Sequence, residues 1–281
     1  MNNHMLLSVI IPAFNEENNL SVTISAIAAA LEQEEIPYEI IAVNDSSTDN
    51  TADVIESILK ENPNVVKIDR SPPGGYGRAV RSGLNACNGE AIIICMADCS
   101  DDPVDVVRYY RKLEEGYDCV FGSRFTSYST VENYPLFKLI INRLVNRMIK
   151  LMFWCKFNDL TNAFKAYRRD VIDSCGPYHS CYFNLTLEMA LEALIRKYNI
   201  AQIPINWHGR TWGCSNMSLA KMGRRYLEVL IKCYADRLLI SDDLVEEKIK
   251  ISRGYRNGLR SLEERVEKLE KKVHKANRPA K

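Results

Sequence analysis

The chain has 281 residues, 46% of them hydrophobic, which is enough for one sizeable core or one domain with an appendage. Its 37 basic and 36 acidic residues nearly cancel to a net charge of +1, so nothing global points to a nucleic-acid binder. The nine cysteines show no C-x-x-C pair and the four histidines are far apart, which argues for reduced thiols and against a zinc site.

In chain order, the first half alternates between two hydrophobic patterns. "LLSVIIPAF" (6–14) is a short apolar run and reads as a buried strand, not a signal peptide. "ENNLSVTISAIAAALEQ" follows, with Leu20, Ile24, Ile27 and Leu31 at helical spacing. "YEIIAVND" is a second strand, and "TDNTADVIESILKEN" a second helix behind a Thr/Asp-rich cap. "VVKID" is a third strand, and "GYGRAVRSGLNAC" turns helical after its glycines. "EAIIICMAD" is a fourth strand, "DPVDVVRYYRKLEEG" a helix with Pro103 in its first turn, and "YDCVFGSR" a fifth strand. Such alternation predicts an α/β fold with a mainly parallel twisted sheet and helices on both faces. Ligands then bind beyond the carboxyl ends of the strands. Phe14, Asn15 and Glu16, then Asn44 and Asp45, then Asp98, Asp101 and Asp102, then Gly122, Ser123 and Arg124 all fall on that edge.

Past Arg124 the character changes. Residues 134–157 predict a helix without acids, in which Lys138, Asn142, Arg143, Asn146, Arg147 and Lys150 form one basic face. That pattern suits a helix in an anionic membrane interface, and equally a core-packed helix with a solvated face. A helix "NLTLEMALEALIRKY", a strand "IAQIPINW", a loop "HGRTWGCSNMS" and a basic helix "LAKMGRRYLEVLIKCYADRLLI" follow. The domain is expected over 1–240 and a charged helical tail over 241–281, where Leu259, Leu262, Val266, Leu269 and Val273 form a short heptad seam that suits a frayed helix or a modest homo-oligomer contact. No run of roughly 18 apolar residues exists to form a transmembrane helix.

The segments "SVIIPAFNEENNL", "IIAVNDSSTDNT", "GYGRAVRSGL", "MADCSDDP", "FGSRF", "NDLTNAFKAYRR" and "INWHGRTWGCSNM" resemble, in that order, the motifs of family 2 glycosyltransferases with the GT-A fold. They are most similar to the dolichol-phosphate mannosyltransferase-like branch. The resemblance implies an inverting hexosyl transfer from a GDP- or UDP-sugar to a polyprenyl or dolichyl phosphate. It implies that Pro12, Phe14, Asn15, Glu16, Asn44 and Asp45 border the donor nucleoside. The family often has two adjacent acids where this chain has Asn44 and Asp45. On residue type alone, Glu16 and Asp45 also suit helix capping.

The family's Asp-x-Asp metal motif aligns with Met96-Ala97-Asp98, so only the second acid matches. The resemblance implies Mg2+ or Mn2+ bound through Asp98 and the donor phosphates, with Asp101 and Asp102 supporting the site or capping the next helix. Asp159 matches the family's general base for hydroxyl acceptors, or would orient a phosphate acceptor; a helix cap for "TNAFKAYRR" fits it too. Arg124, Arg210, Gly213, Ser215 and Asn216 match phosphate-contacting positions, with Asn216 standing where Lys is frequent. Glu188 matches an acidic helix position that would orient these arginines; a solvated helix face fits it too. "GYGRAVRSGL" offers backbone room and Arg78 or Arg81 at a helix start, a weak phosphate signal. The implied catalytic set is thus Asp98, Asp159, Arg124 and Arg210, in a protein peripheral to the cytoplasmic face of a membrane. Two other readings stand: transfer to a saccharide or lipid hydroxyl in surface-polysaccharide assembly, and a non-catalytic nucleotide-sugar-binding scaffold.

Overall fold

Strands β1 (Leu7–Ala13) and β2 (Tyr38–Asn44) are continuous β-branched and apolar runs because both of their faces are covered. The computed structural model describes residues 4–209 and 219–240, with the side chains of 219–221 left aside, together with Gly254 and Val266. Arg210, Gly213, Ser215, Asn216 and the heptad seam lie outside the described residues. The chain divides into two units, Met1–Arg237 and Leu238–Lys281.

The sheet also contains β3 (Val65–Asp69), β4 (Ala91–Ile94), β5 (Cys119–Ser123), β7 (Lys165–Arg168) and β8 (Ile200–Pro204), in the order β3-β2-β1-β4-β7-β5-β8. β1, β2, β3 and β4 are parallel, in a register that sets Ile10 against Ile41 and Ile94. β7 runs antiparallel to both its neighbours, β4 and β5. Helices α1 (Leu20–Gln33), α2 (Thr51–Glu61), α3 (Tyr76–Ala86) and α4 (Pro103–Glu114) connect the strands of the first half. Leu20, Ile24, Ile27 and Leu31 of α1 are buried against the sheet, as their spacing predicted.

The segment Asn158–Ile172 departs from expectation. It forms β7 and then a short α6 (Arg169–Cys175), so Asp159 caps no helix. "KAYR" gives little sign of this strand. It is four residues long and takes its place only because β4 and β5 each leave an edge open to it.

Two further strands, β6 (Val131–Glu132) and β9 (Trp207–His208), form a separate parallel pair. The predicted strand 200–207 therefore breaks after Pro204. Ile205 still donates to Ser123 O at 3.1 Å, but Trp207 donates to Thr130 O at 2.8 Å and His208 to Ser100 O at 3.1 Å. β9 is thereby tied to the loop carrying Asp98 and Asp101.

The remaining helices are α5 (Leu136–Phe153), α7 (Leu185–Ile195) and α8 (Leu219–Leu239). In α5 the expected basic face is divided. Asn142 and Asn146 point inward, and Asn146 Oδ1 accepts the Leu160 N–H at 2.7 Å while its Nδ2 donates to Thr161 Oγ1 at 2.8 Å. Arg143, Arg147 and Lys150 remain exposed, and so do Phe137, Ile140, Leu144 and Leu151. The helix therefore packs one face inward through Asn146, Ile149 and Phe153, and its outer face mixes basic with apolar side chains instead of being basic throughout. The eight cysteines among the described residues are all free thiols, five of them buried.

Candidate functional site

The carboxyl ends of β1, β2, β4 and β5 deliver their polar residues to one rim. Pro12 itself lies inside β1, buried opposite Val43, so the rim begins at Phe14, which is exposed. Asn15 adopts φ 56°, a left-handed conformation that Asn tolerates better than most residues, and its side chain joins Thr48 across the rim. Glu16 is buried; its Oε2 accepts from Asn19 Nδ2 at 2.7 Å and its N–H donates to Thr51 Oγ1 at 2.9 Å.

Asn44 and Asp45 follow β2. Asn44 Nδ2 donates to Asp69 Oδ1 at 2.8 Å and Asn44 Oδ1 accepts from the Ser47 N–H, so its amide braces the rim. Asp45 caps no helix. Its Oδ1 pairs with Arg70 and its Oδ2 accepts the Gly75 N–H at 2.6 Å. This ties the β2 end to the start of α3.

That tie changes the reading of "GYGRAVRSGL". The N–H groups of Gly77 and Arg78 both donate to Cys181 O, at 3.1 and 3.4 Å, and Gly75 donates to Asp45. The first turn of α3 is thus occupied by protein acceptors and presents no phosphate cradle. Arg81 is likewise directed at the carbonyls of Tyr178 and Ser180.

The acids after β4 have separate tasks. Asp102 is the N-cap of α4, accepting from Val104 N at 3.0 Å with Pro103 behind it. Asp98 is buried and accepts from Ser100 N at 3.2 Å. Asp101 accepts from Met96 N at 2.9 Å, and its carboxyl is pushed up to about 7 by burial, with the Asp98 charge adding to the rise. Among the described residues no three His, Cys, Asp or Glu side chains are arranged to hold a metal ion. The oxygen-only, negatively crowded pair Asp98 and Asp101 still fits a hard cation whose other ligands come from a phosphate.

Arg124 leaves β5 into a buried, two-pronged ion pair. Its Nε donates to Asp159 Oδ2 and its Nη2 to Asp159 Oδ1, both at 2.8 Å, and its backbone N–H reaches Oδ2 at 3.1 Å. The rings of Phe125 and Tyr134 lie 5.4 and 5.6 Å from its guanidinium carbon. Asp159 has no solvent exposure, and the turn beside it is held by Asn146 of α5 and by Lys165, whose ammonium donates to the carbonyls of Leu160 and Asn162. Burial drives Lys165 down to about 7; Asp159 opposes this and Arg124 adds to it. Glu188 lies neither on a solvated face nor against the described arginines. It is buried, accepts from the backbones of His179 and Ser180, and pairs with Lys232 of α8 at 3.2 Å.

Two tyrosines at this rim had no signal in the sequence. Tyr76 opens α3, stacks on Phe183 with centroids 4.2 Å apart, and lies within the electrostatic reach of Asp101 and Asp98. Tyr226 of α8 lies near Thr186 and in the field of Arg124 and Asp159; burial lifts its hydroxyl to about 12. Tyr76 lies within "GYGRAVRSGL" and Tyr226 follows Arg224 and Arg225 in the basic helix, but in both segments residue type draws attention to the arginines and not to the tyrosine.

Several known proteins are similar to this chain. Polyprenol monophosphomannose synthase of Mycolicibacterium smegmatis is 26% identical over 216 residues, 75% of this chain and 80% of that protein. Undecaprenyl-phosphate 4-deoxy-4-formamido-L-arabinose transferase of Shewanella sediminis is 32% identical over 176 residues, 62% of this chain, which spans 51% of that longer protein. Among solved structures, glucosyl-3-phosphoglycerate synthase of Mycobacterium tuberculosis, in complex with Mn2+, UDP and glucosyl-3-phosphoglycerate, shares the fold at a TM-score of 0.62. Its sequence identity is 20%, and the match covers 85% of this chain and 81% of that one. The model of glycosyl transferase family 2 matches residues 8–176, from the first strand through the Asp159 turn to the end of α6, and the chain belongs to that family.

Proposed function

We propose that the protein transfers a hexosyl unit, with inversion, from a nucleoside-diphosphate sugar to a polyprenyl phosphate at a membrane surface. The two relatives named for polyprenol and undecaprenyl phosphate support the acceptor class. The observation that carries the reading is Arg124, which Asp159 and two aromatic rings hold beside the Asp98 and Asp101 loop. Asp159 takes its Nε and Nη2 edge and, among the described residues, leaves Nη1 unengaged. An arginine oriented in this way suits a phosphate oxygen.

A divalent cation, Mg2+ or Mn2+, supplies positive charge against the departing diphosphate, and Asp98 would hold it together with the donor's phosphate oxygens. The chain's own residues do the remainder. Asp45 and the Asn44–Asp69 pair brace the rim on which the nucleoside rests, beside exposed Phe14. Arg124 draws the acceptor phosphate toward the sugar and restrains it there, which removes much of the entropic cost of the encounter. A phosphate acceptor is already ionised and needs no strong base. That agrees with both Asp159 oxygens being committed to Arg124, and it places the hydroxyl-acceptor reading second.

The acceptor's chain would lie along α5 and α8. These helices meet through Phe153 and Tyr234, with ring centroids 6.2 Å apart, and through Arg237 Nη1 donating to Met152 O at 3.0 Å. Phe137, Ile140, Leu144 and Leu151 of α5, and Leu227 and Ile231 of α8, are all exposed, with Arg143, Arg147 and Lys150 around them. Such a face suits an anionic bilayer surface. Among the described residues no helix is long and apolar enough to cross a membrane.

The test is transfer of labelled sugar from GDP-mannose and UDP-glucose, with Mn2+, to a short polyprenyl phosphate, to its dephosphorylated alcohol and to oligosaccharides. Labelled lipid phosphate alone is expected. Transfer only to the alcohol or the saccharides overturns the phosphate reading. Binding of a donor without any turnover leaves the scaffold reading.

A further inference from the structure

Tyr76 is held by its backbone and its ring, yet among the described residues its hydroxyl makes no hydrogen bond. Gly75 has φ 151°, outside the range that side chains favour, and a Cβ on Gly77 would stand 2.5 Å from Ser180 O. These glycines let the start of α3 press against the backbone of residues 180–182, where Gly77 and Arg78 donate to Cys181 O. Between them the Tyr76 ring lies on Phe183 at an interplanar angle of 12°. The ring is therefore fixed at both its backbone and its face.

The hydroxyl is inaccessible to solvent and, among the described residues, has no hydrogen-bond partner. A buried unpaired hydroxyl costs roughly 1–3 kcal/mol, and native structures rarely leave one without a reason. Asp101 and Asp98, the acids that suit the donor's diphosphate, lie within its electrostatic reach, as do Cys95 and Tyr226. Burial, with Asp101 next, raises its ionisation well above the ordinary 10.0, so it is a neutral O–H donor. No described acceptor satisfies it, and the backbone donors of the neighbouring turn are already spent on Cys181 and Asp45.

We infer that the Tyr76 hydroxyl is a catalytic residue that donates a hydrogen bond to the diphosphate of the bound nucleotide sugar. This rests on the proposed function and deepens it, since it assigns a donor contact to a residue type that carries no charge. A neutral donor beside two carboxylates can approach an anionic phosphate that the carboxylates alone repel. Its bond strengthens as negative charge grows on the leaving diphosphate, so the contribution is greater in the transition state than in the ground state.

The experiment compares wild type with Tyr76→Phe, which keeps the ring and its stacking on Phe183. Binding of UDP and of GDP, each with Mn2+, is measured by calorimetry, together with kcat for sugar transfer and the thermal midpoint. The variant is expected to bind the preferred diphosphate about tenfold more weakly, the equivalent of one lost hydrogen bond. Its kcat should fall further, by roughly ten- to a hundredfold, with a thermal midpoint equal to or above that of wild type. Equal diphosphate affinity in the two proteins overturns the assignment, whatever the activity shows. A weaker affinity for the nucleotide sugar with unchanged affinity for the free diphosphate also overturns it, and moves the contact to the sugar. If wild type binds neither diphosphate, the donor reading fails and this inference fails with it, an outcome distinct from failure of Tyr76 alone.

Discussion

Charge burial at two residues sets what substitution will do to this rim. Arg124 and Asp159 are exposed by 9% and 0%, and removing one partner leaves the other charge unpaired away from water. Asp159→Ala should therefore cost about 3–5 kcal/mol of stability, read from denaturant unfolding, and Arg124→Met a similar amount. A loss under 1 kcal/mol for both would mean that the pair is open to water. Lys165 carries the pH dependence. Its ionisation falls from the ordinary 10.5 to about 7 on folding, because burial disfavours the ammonium. Between those values the unfolded chain binds more protons than the folded one, so stability is greatest above 10.5 and declines as pH falls through about 7. Lys165→Met removes that slope, though it leaves the Leu160 and Asn162 carbonyls without their donor at every pH. The variant's stability relative to wild type should accordingly improve as pH is lowered across this window. Parallel stability curves for the two proteins would show that Lys165 stays charged when folded.

Elements here are positioned by what they abut as much as by their own propensity. α3 begins where it does because Gly77 lets the chain reach the Cys181 carbonyl. Gly77→Ala introduces a Cβ 2.5 Å from Ser180 O and 2.8 Å from the Cys181 carbonyl carbon, both backbone atoms that cannot swing aside. It should destabilise by roughly 1–3 kcal/mol and weaken donor binding, because the turn carrying Tyr76 must shift. Donor affinity unchanged in a correctly folded Gly77→Ala would detach this turn from the site. β4 and α4 divide the acids in a comparable way. Asp102 is spent on the cap of α4, while Asp98 lies buried and Asp101 half-buried before it. Asp98→Asn should thus abolish Mn2+-dependent enhancement of diphosphate binding with a small effect on stability, whereas Asp102→Ala should cost about 1 kcal/mol and leave that enhancement in place. The opposite pattern in calorimetry would exchange their roles.

At the scale of the molecule, the exposed apolar surface of α5 and α8 is the feature that the sheet itself does not require. Leu144 and Leu151 are exposed by 68% and 70% on a helix that also carries Arg143, Arg147 and Lys150. Two signals, apolar insertion and basic attraction, suit reversible attachment to an anionic bilayer. Replacing Arg143, Arg147 and Lys150 by Gln should lower binding to phosphatidylglycerol-containing vesicles and remove most of its salt dependence. Leu144→Glu with Leu151→Glu should abolish it without lowering the thermal midpoint, since neither side chain is packed. Vesicle binding that survives both changes would assign this face to something other than lipid.

How much of this was legible in the residues follows from which forces are local. The order of strands and helices through β5, the buried stripe of α1, the Asp102–Pro103 cap and the rim position of Asp45 and Asp98 come from periodicity and from short-range turn chemistry, which act between residues a few positions apart. The chain also carries its family resemblance locally, in motifs that follow one another in order. Antiparallel β7, the capture of Asp159 by Arg124, the turn of Asn142 and Asn146 inward from α5, and the approach of Phe183 to Tyr76 join residues that sequence separates and that no local pattern couples. Tertiary packing decided these, because burial changes the energy of a charge or a hydroxyl according to which partners the fold brings within reach, and that is a property of the assembled sheet and its helices.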